Sequence, residues 1–524
     1  MRVLILDNVS QEGVELLRQS GVEVEVRAKM AKEELLEVVG GFEGLIVRSA
    51  TKVTREVIEA GRRLKIIGRA GVGTDNIDVE AATERGIIVV NAPEGNTIAA
   101  AEHTIGMLLA LARNIPQANQ TLKQGRWEKN KFTGIELRGK TLGIIGLGKI
   151  GSEVAKRARA MGMEVRGYDP YISEEHAARL GVVLGSLEEV LSGADFLTLH
   201  VPLVPETRYI INSETIKIMK PGARLLNIAR GGLVDEAALY QALKEGRLAG
   251  AALDVFEKEP ITESPLFELE TVIVTPHLGA STEEAQVAVA IEVAQDFIRY
   301  AQGQPVHNAV NIPVLREELA PVLKPYLDLA ERLGKFLAQL LDGPVREIEL
   351  RYTGELAQFD LSVVTNTFLK GFLKPLLPDT VNYVNAPVIA RQRGIKVREY
   401  KSREMEYYTN LITVATNGPK PTSLAGTVTV SNEPRLVRLN GYAIDAVPQG
   451  HLLVVPHIDR PRIIGPVGLA IGAHGINIAA MQVGRQVIGG EAVMVLNIDE
   501  EVPPEVLNEI RQIDGVLDVH YVHI

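Results

Sequence analysis

The 524-residue chain contains no cysteine. Disulfide scaffolds, thiolate metal sites and a cysteine nucleophile are therefore excluded, and no metal site is read from the sequence. Tryptophan occurs once and aromatics make up only 5%. No basic excess exists either: 66 acidic residues stand against 56 basic ones, a formal charge of −10, which argues against a broad nucleic-acid face. The balance leaves room for a local anion site, because backbone amides and a few cationic side chains can build one. Long apolar runs are also lacking. The most apolar helical stretch, "TIAAAEHTIGMLLALARNI", carries Glu102 and His103 and falls short of a clean membrane span. "MRVLILDNVS" starts directly in a strand pattern without the marks of a signal peptide, so a cytoplasmic location is expected.

What is present reads as several domains, since this length exceeds one hydrophobic core. Residues 1–95 alternate the strand runs "RVLILD", "VEVEVRA", "GLIVRS", "LKIIGRAG" and "GIIVVNA" with amphipathic stretches, the pattern of a parallel α/β sheet. Residues 97–124 read as helix. A second series follows: "TLGIIG", "EVRGYD", "FLTLHVP", "RLLNIAR", "GAALDVF" and "VIVTPHL", the six strands of a complete doubly wound dinucleotide domain. A helix over 281–303 is placed to pack back on the first domain, so the nucleotide domain is read as an insertion with a cleft beside it. Beyond residue 310 come a long helix and a mixed region. Residues 451–524 read β-α-β-β-α-β, the order of a ferredoxin-like module.

The chemistry centres on Gly146-Leu147-Gly148-Lys149-Ile150-Gly151, a full G-x-G-x-x-G between strand and helix. Gly146 permits the turn, Gly148 lets a pyrophosphate approach, and Gly151 allows helix and strand to pack closely. The amides of Lys149 and Ile150 point at the phosphates from the helix N-terminus. Asp169, 23 residues beyond Gly146, ends the next strand, where a carboxylate accepts from the ribose hydroxyls and selects NAD over NADP. Three later strand ends carry Arg230, Glu259 and His277. A histidine suits removal of a hydroxyl proton near pH 7, a carboxylate orients it, and an arginine grips a carboxylate bidentately. Taken singly, each also reads as structure: a capping His, a surface Glu, an Arg in a glycine turn.

"GKTLGIIGLGKIG", "GYDP", "NIARGGLVDEAAL", "GAALDVFEKEP" and "TPHLGAST" closely resemble the D-2-hydroxyacid dehydrogenase family. "GLIVRSATKVT", "IGRAGVGTDNID" and "APEGNTIAAAEHT", with "VNYVNAPVIARQRGI" further on, are similar to its long phosphoglycerate-oxidising branch. The resemblance implies an α/β fold with an NAD-binding Rossmann domain (97–283) inserted into a flavodoxin-like substrate domain (1–96 and 284–308). An α+β intervening domain of the allosteric substrate-binding type (309–448) and a ferredoxin-like ACT regulatory domain (449–524) would follow. It implies His277 as acid/base, Glu259 as its orienting partner and Arg230 on the substrate's carboxylate side. Implied NAD contacts are Val72, Gly146, Gly148, Lys149, Ile150, Gly151, Asp169, Val201, Pro202, Ile228, Ala229, Arg230, Asp254, His277, Gly279 and Ala280, with Asp254 facing the nicotinamide. Arg48, Ser49, Asn96 and Arg230 would contact substrate, with Arg48 the first candidate for its phosphate and Lys129 and Lys131 in reserve.

The implied activity is NAD-dependent oxidation of 3-phospho-D-glycerate to 3-phosphohydroxypyruvate, the first step of L-serine biosynthesis, with side reduction of 2-oxoglutarate to 2-hydroxyglutarate. A dimer or tetramer is implied too, without nucleic-acid or membrane partners. A sibling glyoxylate or hydroxypyruvate reductase and a non-catalytic NAD-sensing protein are the rival readings. In the terminal module the family's serine-effector positions fall on His457, Asp459 and Asn477. Arg462 stands where the family usually has glycine, adding bulk and charge where backbone should approach a ligand, which counts against serine inhibition.

Overall fold

The computed structural model describes residues 1–315, 317–341, 343–377, 380–405, 407–417 and 420–524. Five parallel strands, β1 (Arg2–Leu6), β2 (Glu23–Arg27), β3 (Gly44–Val47), β4 (Ile66–Arg69) and β5 (Ile88–Val90), form the first sheet in the order β2-β1-β3-β4-β5. The unbroken apolar runs in β1, β3 and β5 follow from helices covering both faces of a parallel sheet. One cover is the helix Glu283–Ala301, which returns after the second sheet and seats Val289, Val293 and Phe297 among Val3, Ile5, Ile46, Ile66 and Ile88. Gly44 and Gly68 make that contact possible. A Cβ there would stand 2.7 and 2.6 Å from the Phe297 ring.

The second sheet holds β6 (Thr141–Ile145), β7 (Glu164–Tyr168), β8 (Val183–Leu184), β9 (Phe196–Leu199), β10 (Arg224–Asn227), β11 (Gly250–Leu253) and β12 (Val272–Val274). Its order is β12-β11-β10-β9-β6-β7-β8, all parallel. This is one strand more than the sequence reading expects. At two residues on an edge, β8 is too short to show a period. The strand order reverses between β6 and β9, and ligands of doubly wound sheets bind in the crevice beyond such a switch point. The helix expected over 97–124 is two, Thr97–Arg113 and Ile115–Lys123, because Asn114 turns left-handed (φ 53°) and Pro116 cannot continue the ladder.

The third sheet, β13 (Glu347–Gly354), β14 (Lys396–Ser402), β15 (Asn410–Asn417), β16 (Ser423–Val428), β17 (Pro434–Leu439) and β18 (Tyr442–Ala446), is mixed, in the order β14-β13-β15-β16-β17-β18. The "VNYVNAP" segment beside it reaches back to the first domain. Asn382 Nδ2 donates to Gly86 O at 2.8 Å, and Val384 is buried in the same core as Phe297. The last sheet, β19 (His451–Ile458), β20 (Ile478–Arg485), β21 (Glu491–Ile498) and β22 (His520–His523), is antiparallel, ordered β20-β21-β19-β22, and bears out the ferredoxin-like reading. Among the described residues no helix is long and apolar enough to cross a membrane, and no three metal-ligating side chains cluster.

Candidate active site

The glycine turn leaves β6 and enters the helix Lys149–Ala160. Gly146 has φ 93°, and a Cβ there would stand 2.4 Å from His200 O, while a Cβ on Gly151 would stand 2.0 Å from Gly146 O. A Cβ on Gly148 would meet nothing within 4 Å, so the space a pyrophosphate needs is open on that side. Asp169 accepts from the N–H groups of Leu147 and Tyr171, both at 2.9 Å, which holds its carboxylate against the turn. These residues fit a dinucleotide. The Lys149 side chain turns outward to Glu94 Oε1 at 2.7 Å, leaving its amide for the phosphates.

Beyond β11 and β12 the catalytic candidates meet. His277 Nδ1 lies 2.7 Å from Glu259 Oε2. An ionised carboxylate only accepts, so the proton sits on Nδ1 and Nε2 is left as the base. Burial by itself would push the Glu259 carboxyl up, but the bonds from His277 and the Phe256 N–H outweigh it and hold it below its ordinary value. His277 has a left-handed backbone, φ 56°, a costly conformation for a non-glycine residue. Asp254 organises the bend that imposes it. Its backbone O accepts from His277 N–H at 2.9 Å, and its side chain takes Thr275 Oγ1, Leu278 N and Gly279 N at 2.6, 2.7 and 2.8 Å. Burial favours its neutral form, yet these donors and His103 keep its carboxyl below the usual range. Asp254 is wholly buried, one layer behind the residues that line the cavity described next.

A cavity of about 240 Å³ opens in front of His277. Val72, Asn96, Ile150, Val201, Pro202, Ile228, Ala229, Arg230, His277, Gly279 and Ala280 all line it, so the structure brings together residues read from six separate segments. Ala100 and His200 line it as well and were not read from sequence. Burial pulls the His200 imidazole down to about 4, so it is neutral there. Asn96 Oδ1 is buried without a hydrogen-bond partner. Arg230 Nε reaches Asp75 Oδ2 at 3.2 Å, and its Nη1 donates to Ala229 O at 2.7 Å.

Sequence reasoning also missed Arg69, at the carboxyl end of β4 in "IGRAGVG". Burial first, and then the positive charges of Arg230 and Arg48, pull its guanidinium down to about 10. Arg69 thus lies within reach of the charges of Arg230 and Arg48, with its own Nε unpartnered. The only signal was its position at a strand's carboxyl end, which the reading did not use. The Arg48 loop is pinned by Asp7, which accepts from the N–H groups of Arg48 and Thr51 at 2.9 Å, with Ser49 exposed beside it. Lys129 and Lys131 do not line the cavity, and Lys131 pairs with Glu270 at 2.9 Å. In the last module His457 is buried, Asp459 accepts from Arg485 at 3.0 Å, and Asn477 is bound to Asp499 at 2.7 Å. No hydrogen bond joins these three among the described residues. A larger cavity of about 1040 Å³ lies between the third and fourth sheets, away from the dyad.

Residues 105–279 match the D-isomer specific 2-hydroxyacid dehydrogenase NAD binding domain, 322–440 the D-3-phosphoglycerate dehydrogenase intervening domain, and 451–515 the ACT domain. A D-3-phosphoglycerate dehydrogenase of Methanocaldococcus jannaschii is 50% identical over the full length of both chains. The chain belongs to the D-3-phosphoglycerate dehydrogenase family. A Bacillus subtilis member is 45% identical, covering 100% of this chain and 99% of its own. Among solved structures, the Aquifex aeolicus D-lactate dehydrogenase complexed with NAD and lactic acid is 32% identical, with TM-score 0.51 over 57% of this chain and 96% of that one. A Thermus thermophilus protein, TT0316, is 39% identical, with TM-score 0.55 over 59% of this chain and 100% of its own. In this D-3-phosphoglycerate dehydrogenase family member the NAD-binding domain therefore contains the glycine turn, Asp169 and the whole Arg230–Glu259–His277 set.

Proposed function

We propose that the chain oxidises 3-phospho-D-glycerate to 3-phosphohydroxypyruvate with NAD, the first step of L-serine biosynthesis. The observation that carries the reading is the 2.7 Å His277–Glu259 pair, with His277 and Arg230 lining one cavity, and the charges of Arg48 and Arg230 acting on Arg69 support a phosphorylated substrate. A phosphorylated hydroxyacid brings about three negative charges, and clustered guanidinium groups answer that demand.

In the reaction, Arg230 orients the substrate carboxylate and stabilises charge developing on the C2 oxygen. Arg48 and Arg69 take the phosphate end. His277 Nε2 accepts the C2 hydroxyl proton while its Nδ1–H stays on Glu259, whose charge stabilises the imidazolium. The glycine turn and Asp169 would hold NAD, which when bound would supply the hydride acceptor. Closure of the first domain on the second excludes water from the cavity.

The cytoplasm is the proposed location. Assembly as a dimer or tetramer is supported by the segment that exposes Ile115, Leu122 and Trp127, the last 81% accessible. Serine feedback through His457, Asp459 and Asn477 remains part of the reading, with Arg462 opposing it, and slow reduction of 2-oxoglutarate is a proposed side activity.

The test is NADH oxidation with 3-phosphohydroxypyruvate beside glyoxylate and 2-oxoglutarate, with and without L-serine. Strong preference for the phosphorylated oxoacid is expected. Equal use of all three would make the chain a general hydroxyacid reductase, and NADH binding without turnover would make it a sensor.

A further inference from the structure

The loop carrying Glu259 is tied to a neighbouring loop by a reciprocal pair of bonds. Glu257 N–H donates to Glu236 Oε1 at 2.6 Å, and Glu236 N–H donates to Glu257 Oε1 at 3.2 Å. Glu236 opens the helix Glu236–Lys244, which follows the turn bearing Arg230, and Tyr209 Oη donates to Glu257 Oε2 at 3.2 Å. The same two loops touch at Gly231, where a Cβ would stand 1.8 Å from Phe256 O. One side of the Phe256–Glu257 peptide is therefore pressed against a glycine, and its N–H is fastened by a carboxylate. Two residues later comes Glu259, whose 2.7 Å bond to His277 tolerates little displacement. Partial burial pushes the Glu236 carboxyl up, the Glu257 N–H bond opposes it, and the negative charges of Glu257 and Glu259 add to the rise, so this acid is kept in an unfavourable place beside the pair. A solvated surface glutamate would need neither the burial nor the fixed partner.

We propose that Glu236 is a positioning residue for the reaction: its Oε1 holds the Glu257 N–H, and through it keeps Glu259 in register with His277. Glu236 does not touch substrate or cofactor. The proposal rests on the His277–Glu259 assignment above. It makes the glutamate that follows "ARGGLVD" part of the acid–base apparatus, and it couples the Arg230 loop to the Glu259 loop as one rigid unit. Displacing a catalytic group by about 1 Å can cost on the order of a hundredfold in rate.

The experiment compares wild type, Glu236→Ala and Glu236→Gln as the full chain, each with steady-state kinetics and a thermal midpoint. Alanine removes the acceptor; glutamine keeps an Oε1 in place and removes the charge. Glu236→Ala should lower kcat by about tenfold or more while KM for NADH and the melting midpoint stay near wild type. Glu236→Gln should recover most of that loss. Wild-type kcat in Glu236→Ala would overturn the proposal, and so would a Glu236→Gln variant as slow as the alanine. If the alanine variant does not fold, Glu236→Asp, one methylene shorter, takes its place with the same expectations. The ratios are read with whichever oxoacid the wild type reduces, so failure of the substrate reading shows in the wild type alone, and failure of this proposal shows only in the ratios.

Discussion

The carboxylate of Asp254 reaches the Gly279 N–H at 2.8 Å across the bend that holds His277 in its left-handed conformation. A fully buried acid is thus serving the backbone of the loop that delivers the base. Asp254→Ala should leave Leu278 and Gly279 N–H without their acceptor, costing about 1–3 kcal/mol for the buried Gly279 donor. The expected result is a lower melting midpoint together with loss of kcat, read by thermal unfolding and steady-state kinetics.

His277→Ala should reduce kcat by about 10²–10⁴, the range general acid–base catalysis supplies, with NADH binding retained. Glu259→Gln should cost less, because the imidazole keeps a partner but loses the charge that stabilises its protonated form. Stopped kinetics beside NADH fluorescence titration separates the two effects.

The depressed pKa of Glu259 has a stability consequence. Because its folded value lies below the unfolded one, its bonds contribute at every pH above the unfolded value, about 4.3. That contribution is lost as pH falls through the depressed folded value. Wild type should therefore lose stability over this acid window more steeply than Glu259→Gln, measured by urea unfolding at successive pH values.

Arg69→Ala should raise KM for the phosphorylated oxoacid by about tenfold or more, equivalent to roughly 1.4 kcal/mol, and leave KM for glyoxylate little changed. A parallel change for both substrates would place Arg69 on the carboxylate side with Arg230. Arg230→Lys keeps the charge and loses the fork, so it should impair both substrates.

Gly68→Ala tests how the chain closes its first domain. The added methyl meets the Phe297 ring at 2.6 Å, and overpacking of this kind costs about 1–3 kcal/mol. The midpoint for urea unfolding should fall, with kinetics per folded molecule unchanged.

Arg462 is held at φ 69°, a conformation glycine adopts freely. Arg462→Gly should be tolerated without loss of stability, despite the greater freedom it gives the unfolded chain. If the arginine is what silences serine binding, the variant gains serine inhibition. If inhibition is absent in both chains, the buried His457 and the Asn477–Asp499 pair are the reason to examine next.

Legibility in the sequence followed the range of the interactions involved. The glycine turn, Asp169 and the six longer strands are local patterns, and they read directly. The two-residue β8 and the break at Asn114 lie below the length at which periodicity speaks. Arg69 escaped because an arginine after a strand says nothing until two others converge on it.

By itself the sequence determined the parallel sheets, the dinucleotide turn, the cofactor preference and the residue types able to move a proton, because each depends on neighbours close along the chain. The tertiary structure decided which of them share a site. Glu259 and His277 are 18 residues apart and meet only because β11 and β12 are adjacent strands of one sheet. Arg48, Arg69 and Arg230 come from two different sheets, and the return of the helix Glu283–Ala301 to the first core completes the domain that carries two of them. Hydrogen bonds and charge act through space, so their partners are named by the fold.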